Sequence, residues 1–163
     1  MLKALPAFFQ KAVPIRHLTY PEWHRLYILS RQTRPAVWDM TPDQFRKRIL
    51  CETSPLCRSI QLCDPFEDTI VATCFLDSTL LHSPIGSRPV PYVTQLNRDL
   101  RNAYRGTGSL LLDCLLEKTS ELYLKPANKE LEQMYKRLGF FPTLFTGVGN
   151  PYFPIYGKSL PHD

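Results

Sequence analysis

A glycine-rich segment, Tyr104–Ser109, leads directly into a strongly apolar run, and this order of residues suits phosphate binding. Glycines let the backbone approach a ligand closely because they have no Cβ atom. The apolar run predicts a helix over Ser109–Lys118, whose first N–H groups have no acceptor within the helix. Those donors and the positive end of the helix dipole favour an anion. The candidate phosphate-binding residues are Arg105, Gly106, Thr107, Gly108 and Ser109.

A second segment, Asn128–Phe140, predicts a helix that carries a tyrosine, Tyr135. Asn128 is a suitable N-cap, and Gly139 is a suitable residue to end the helix. Two roles are open for Tyr135. Its helical spacing with neighbouring apolar residues is typical of a buried stripe. Its phenol also keeps its proton at neutral pH, because the ordinary pKa is about 10, so it could protonate a leaving group.

Together the two segments resemble those of the GCN5-related N-acetyltransferase (GNAT) superfamily. Gly106 and Gly108 match the glycines of its acetyl-CoA loop, whereas the usual Arg or Gln position is occupied by Ala103. Arg101 and Arg105 lie on either side, so the choice of pyrophosphate-binding arginine stays open. The second segment has Leu131 where the later helix of the family usually has Ala. It matches that helix at Asn128, Met134, Tyr135, Leu138, Gly139 and Phe140.

The resemblance implies an α/β acyl-CoA N-acyltransferase fold, with a central mixed β-sheet flanked by helices. It implies acetyl-CoA as the cofactor, with the pantetheine arm paired along the strand that ends at Leu96 and Asn97. It also implies that Asn128 contacts the cofactor and that Tyr135 protonates the departing CoA thiolate. The implied reaction is direct attack of a primary amine on the thioester.

The N-terminal half of the chain predicts one strand followed by two short helices. The strand is expected over Val13–Leu18. Thr19 and Thr41 each begin a capping box with proline in the first turn, so each predicts a helix N-terminus. The segment between the helices, Arg31–Asp39, is predicted to be a loop in which Trp38 is a buried core anchor.

The C-terminal half predicts a hairpin and then the elements that hold the candidate site. Alternating and β-rich runs predict the hairpin strands, and prolines with glycine predict a loop over His82–Pro89. The strand ending near Asn97 should run parallel to Leu122–Leu124, joined to it by a right-handed helical crossover. The tail, Pro142–Leu160, predicts two strands joined by the turn Gly147–Pro151.

The composition fits a single globular domain over residues 1–163, with residues 1–12 as an N-terminal arm. The 163 residues are 44% hydrophobic and 21% charged, with a net charge of +5. No apolar run is long enough to span a bilayer, so we expect a soluble, cytoplasmic protein without a membrane partner. Five cysteines without a Cys-x-x-Cys pair, and four scattered histidines, predict no metal site.

The predicted function is acetyl transfer from acetyl-CoA to a primary amine of an unidentified small molecule or protein. Asp77 and His82 are the nearest guesses for a general base, although both are typical of surface residues. One alternative is a degenerate CoA-binding or interaction module without catalysis, and another is a tRNA- or RNA-associated acetyltransferase. Nucleic acid is less favoured, because the basic residues are spread along the chain. A homodimer stays open.

Overall fold

A computed structural model describes residues 8–147 and 152–161, which form one seven-stranded sheet with helices. The strands are β1 (Phe9–Pro14), β2 (Arg58–Asp64), β3 (Thr69–Ser83), β4 (Gly86–Arg98), β5 (Glu121–Leu124), β6 (Phe141–Pro142) and β7 (Tyr156–Ser159). The α-helices are α1 (Tyr20–Arg31), α2 (Pro42–Glu52), α3 (Thr107–Thr119) and α4 (Lys129–Arg137). None of these helices is long and apolar enough to cross a membrane.

The sheet has the order β1-β2-β3-β4-β5-β7-β6. Strands β4 and β5 are parallel and are connected through α3, whereas every other neighbouring pair is antiparallel. The predicted mixed α/β sheet and the parallel pair are therefore confirmed.

The helices cover both faces of this sheet. Cys74 and Phe75 are neighbours on β3, yet Cys74 belongs to the core cluster of α3 and α4, and Phe75 to that of α1 and α2. Successive side chains of a strand point to opposite faces. The helix pair α3 and α4 therefore packs on one face, and α1 and α2 pack on the other.

Both predicted capping boxes are present. The Thr19 hydroxyl accepts from the N–H of Glu22 at 3.3 Å, and Glu22 Oε1 accepts from the N–H of Thr19 at 3.0 Å. Thr41 and Gln44 form the same reciprocal pair, at 3.2 Å and 2.9 Å. Each box satisfies two donors at a helix end that have no acceptor within the helix.

Loss of either cap should lower stability by a measurable amount. We expect Thr19→Ala and Thr41→Ala each to reduce the free energy of unfolding by ~1 kcal/mol, the usual value of an N-cap side chain. Denaturant titration would measure the loss, and the Thr→Ser variants are the controls, because serine caps equally well. Alanine variants as stable as the wild type would show that solvent satisfies these helix ends.

Three predictions in the N-terminal half are wrong in detail. Strand β1 begins at Phe9, so it includes residues 9–12 of the predicted arm, while residues 1–7 lie outside the described part. Residues Ile15–His17 form a short 3-10 helix instead of continuing the strand. Trp38 is 55% exposed rather than buried, because its indole N–H donates to the carbonyl of Arg31 at 2.8 Å and Val37 enters the core instead.

The predicted loop over residues 82–89 is also wrong. Strands β3 and β4 continue through it as one long hairpin, closed by a turn between Ser83 and Gly86. The first part of β4 has a described sheet partner on one side alone, since its pairing with β5 begins at Tyr92. Proline is tolerated at such an edge. Two terminal strands are present, as predicted, although β6 begins at Phe141, and they pair antiparallel. Residues 148–151 of the predicted turn lie outside the described residues.

Candidate functional site

An opening between β4 and β5 dominates the candidate site. In the described structure these strands pair at two positions, Tyr92 opposite Tyr123 and Val93 opposite Leu124, although β4 continues to Arg98. Among the described residues, no strand lies beyond Val93 beside the edge of β4 that faces β5. Its backbone groups are therefore available to an extended ligand.

A bulge in β4 lies directly beside this opening. Thr73 of β3 pairs with Asn97, and Phe75 pairs with Thr94, so β4 has one residue more than β3 across this stretch. Gln95 in the bulge has φ +56°, an uncommon conformation for a residue other than glycine. An extra residue bends and twists its strand, which carries the end of β4 away from β5.

The resulting cleft has a volume of about 200 Å³. Its lining comes from β4, the segment after β5, α4 and the segment after α1: Tyr92, Val93, Thr94, Gln95, Leu96, Lys125, Pro126, Ala127, Leu131, Tyr135 and Arg34. Of the residues predicted to form the site, Leu96 and Tyr135 line this cleft.

Tyr135 combines both roles that the sequence left open. It is 4% exposed and belongs to the core cluster of α3 and α4, where its ring lies 6.0 Å from that of Phe140. It also lines the cleft, and its hydroxyl forms no hydrogen bond with the part of the chain that the structure describes. Burial raises the pKa of Tyr135 to about 12, although the nearby positive charge of Arg34 acts to lower it. The phenol therefore keeps its proton at neutral pH.

The predicted phosphate loop has the geometry of a helix N-terminus with free donors. Gly106, at φ +83°, is the residue before α3, and Leu110 is the first residue to donate to its carbonyl, at 3.1 Å. The helical N–H groups before Leu110 have no acceptor within the helix. The N–H of Arg105 is different, because it donates to the carbonyl of Asn102 at 3.2 Å. The backbone donors therefore begin after Arg105.

The side chains around this loop distinguish the two arginines. Arg101 binds the carboxylate of Asp99 at 3.0 Å and lies over the ring of Tyr104. Arg105 is exposed and makes no side-chain hydrogen bond or ion pair with a described residue. Arg105 is thus the arginine available to a phosphate. The hydroxyl of Thr107 is already bonded to the carbonyl of Tyr104, at 2.7 Å.

Asp99 fixes the start of this loop to the rest of the fold. Its carboxylate is bound by Arg25 at 2.7 Å and by Arg101, and its N–H donates to the carbonyl of Val71 at 2.8 Å. Burial alone would raise the pKa of Asp99, but the hydrogen bonds from Arg101 and Arg25 hold it well below its usual range.

Asp99→Asn should therefore destabilise the protein at neutral pH by roughly 2 kcal/mol, because Arg25 loses its buried partner. The folded-state pKa is lower than the unfolded value of about 3.9, so the stabilisation is present above about pH 4 and is lost as the pH falls further. Denaturant unfolding at pH 7, 4 and 3 would measure this difference. If the free energies of unfolding of the wild type and the variant differ by the same amount at all three pH values, the ionised carboxylate of Asp99 does not have this role.

The two asparagines have structural roles that occupy their side chains. The Oδ1 of Asn97 accepts from Thr33 at 2.9 Å and from Arg34 at 3.3 Å, and its Nδ2 donates to the carbonyl of Gln95 at 3.1 Å. Asn97 thus fastens the bulge to the segment after α1. The Oδ1 of Asn128 accepts from the N–H of Leu131 at 2.9 Å, which confirms the predicted N-cap.

Solved structures share the fold of this protein over nearly the whole chain. An acyl-CoA N-acyltransferase from Pseudomonas aeruginosa aligns over 94% of this chain and 100% of that chain, with a TM-score of 0.62 and 15% identity. This chain has the GNAT fold. ElaA from Escherichia coli has a TM-score of 0.58 and 18% identity, and covers 92% of this chain and 97% of its own.

A third structure with the GNAT fold contains the cofactor. It is a tyrosine-to-phenylalanine mutant of the toxin AtaT, bound to the C-terminus of the antitoxin AtaR and to acetyl-CoA. It aligns over 93% of this chain and 92% of that chain, with a TM-score of 0.61 and 14% identity. No family model and no curated protein matches the sequence. The resemblance is therefore confirmed at the level of the fold.

Within this GNAT fold, the suggested bases lie away from the cleft. Asp77 accepts hydrogen bonds from the N–H and hydroxyl of Ser54, at 2.9 Å and 2.6 Å, and His82 is paired with Ser87 near the hairpin turn. Neither residue lines the cleft, and its described lining contains no Asp or Glu. Both behave as the surface residues that the sequence favoured.

Sequence reasoning did not name most of the residues that line the cleft, and Arg34 and Gln95 are two polar examples. The Arg-Pro dipeptide marks a turn, but it gives no sign that the arginine faces the sheet. A bulge at a non-glycine residue leaves no glycine in the sequence to reveal it. The oxygen Oε1 of Gln95 is buried without a hydrogen-bond partner among the described residues.

Proposed function

We propose that this protein is an N-acetyltransferase that transfers the acetyl group of acetyl-CoA directly to a primary amine. One observation carries the proposal: β4 continues past the end of its pairing with β5, and the cleft there is lined by Tyr135, whose protonated hydroxyl has no hydrogen-bond partner among the described residues. The chain then continues from β4 into the free N-terminus of α3. Such an opening suits an extended ligand that ends in phosphates. The acetyl-CoA present with the fold neighbour AtaT supports this choice of cofactor.

The proposed binding mode uses mainly backbone. The pantetheine arm lies against β4 at Leu96 and Asn97 and pairs with its unpaired edge as an added strand. The pyrophosphate lies at the N-terminus of α3, where Gly106, Gly108 and Ser109 offer N–H groups and Arg105 offers a positive charge. Thr107 contributes its N–H, and the capping Asn128, which directly follows the cleft-lining Pro126 and Ala127, contacts the cofactor.

Tyr135 is the proposed acid. The amine nitrogen bonds to the acyl carbon, the bond from carbon to sulfur breaks, and the thiolate takes the phenolic proton. The excess proton of the amine then restores the phenol through solvent. Burial disfavours both anions, so it raises the pKa of a thiolate in the cleft as it does that of Tyr135. The positive charge of Arg34 favours the transient phenolate.

Isothermal titration with acetyl-CoA and with free CoA tests the cofactor assignment. We expect both to bind, and a mass-shift screen of amines to show acetylation of at least one class. Binding without turnover would indicate a CoA-binding module instead of an enzyme. Failure of acetyl-CoA to bind, together with an RNA affinity that falls steeply with salt, would favour the RNA-associated function.

A further inference from the structure

Arg34 is a half-buried positive charge in the cleft without a negative partner among the described residues. It follows α1, and its guanidinium donates one hydrogen bond to the described residues, from Nε to the neutral Oδ1 of Asn97 at 3.3 Å. No carboxylate of those residues forms an ion pair with it. The N–H groups of the two terminal nitrogens are therefore available to a ligand, and Arg34 lines the cleft in which such a ligand would lie.

Other arginines of the described structure do have carboxylate partners. Arg25 and Arg101 bind Asp99, and Arg88 binds Glu121 at 2.8 Å. Burying an unpaired charge is unfavourable, and here burial lowers the pKa of Arg34. A protein keeps a desolvated guanidinium in a cleft at a cost in stability, which an anionic ligand would offset.

The rest of the cleft has the same charge character. Its described lining contains a second basic residue, Lys125, and no Asp or Glu. A ligand with additional positive charges would meet Arg34 and no carboxylate among the described lining residues. The cleft therefore disfavours polyamines and lysine-rich peptides as acceptors and favours molecules with negative charge.

We propose that the acceptor is an amine that carries a carboxylate or a phosphate beside its amino group, and that Arg34 binds this anionic group. This inference rests on the proposed N-acetyltransferase function. The planar guanidinium fits the two oxygens of either anion with parallel hydrogen bonds. Because Arg34 and Tyr135 line the same cleft, an anion held at Arg34 places the adjacent amine near the thioester. The anionic group itself undergoes no change.

Matched acceptor pairs test this specificity. One set pairs amino acids of different side chains with their amides, and another pairs O-phosphoethanolamine with ethanolamine, with spermidine as a cationic acceptor. For the wild type we expect kcat/KM to be roughly 10- to 100-fold higher for the anionic member, the usual value of a charged hydrogen bond. The two sets distinguish a carboxylate from a phosphate.

Two arginine variants identify the residue responsible. Arg34→Gln should slow both members of a pair by the same factor through Tyr135, and should slow the anionic member by a further factor of roughly 10 to 100, so that the preference disappears. Arg34→Lys should retain part of the preference. Arg31→Gln is the control, because it removes the same charge from an exposed position nearby whose side chain lies over Tyr27. Melting temperatures of all variants establish that each is folded.

Three results would overturn the inference. The first is that neutral or cationic acceptors react faster than their anionic counterparts. The second is that Arg34→Gln slows both members of a pair equally. The third is that no anionic amine is acetylated although acetyl-CoA binds. The last result leaves the cofactor site intact. Titration with acetyl-CoA, together with turnover of the neutral and cationic acceptors, separates it from failure of the proposed function, in which acetyl-CoA does not bind or no amine is acetylated and this inference falls as well.

Discussion

Replacing Tyr135 with phenylalanine should lower the rate of acetyl transfer by roughly 100- to 10,000-fold, the usual contribution of a positioned acid. The ring remains, so its packing against Phe140 in the core is retained. The hydroxyl makes no hydrogen bond with a described residue, so its loss should change the melting temperature and acetyl-CoA affinity little. Steady-state kinetics, titration calorimetry and thermal unfolding of the same variant would measure the three quantities.

Tyr156→Phe is a matched control for this prediction. Tyr156 is also buried in the same core cluster, but its hydroxyl donates to Glu132 at 2.7 Å and it does not line the cleft. Loss of the Tyr156 hydroxyl should reduce the free energy of unfolding by ~1 kcal/mol and leave the rate of acetyl transfer unchanged. If the Tyr135→Phe protein folds, binds acetyl-CoA and turns over at the wild-type rate, Tyr135 serves only to pack the core.

Gly108→Asp should abolish CoA binding without harming the fold. No atom outside the local helix lies within 4 Å of a Cβ placed at Gly108, so the fold has room for a side chain there. An acidic residue in the first turn also interacts favourably with the helix dipole. The same carboxylate would repel a pyrophosphate and fill the space that it needs. The affinity for CoA should therefore fall while the melting temperature rises. Titration with CoA and thermal unfolding would measure the two quantities.

Two milder variants grade this effect. Gly108→Ala should stabilise α3 by up to ~1 kcal/mol through helix propensity and still weaken CoA binding by its methyl group. Arg105→Ala should weaken binding by ~1–3 kcal/mol, through loss of a charged hydrogen bond. Unchanged CoA affinity in all three variants would show that the loop is an ordinary turn.

Elements with strong local signals were predictable from the sequence. The capping residues Thr19, Thr41 and Asn128 identified three helix starts, because a side chain that bonds a nearby backbone N–H acts within a few residues. The parallel pairing of β4 and β5 followed from the helix between them. The phosphate loop and Tyr135 could be named for the same reason, since each belongs to one continuous segment.

Features that depend on distant contacts were not predictable. The conformation of Gln95 follows from how β4 pairs with β3, which residues near it in sequence do not encode. Arg34 faces the cleft because Asn97, more than sixty residues later, holds it there. Trp38 appeared suited to the core, but Val37 occupies that position and the indole caps the end of α1 instead.

The use of backbone in the proposed cofactor site has a consequence for how far such sequences can diverge. The N–H groups at the start of α3 are present whichever residues carry them, and the edge of β4 offers its backbone in the same way. Gly106, at φ +83°, is one of the few positions where this geometry restricts residue type. Chains built in this way can exchange most of their side chains and retain both fold and binding surface. Identities of 14–18% with TM-scores of 0.58–0.62 are what such tolerance would produce.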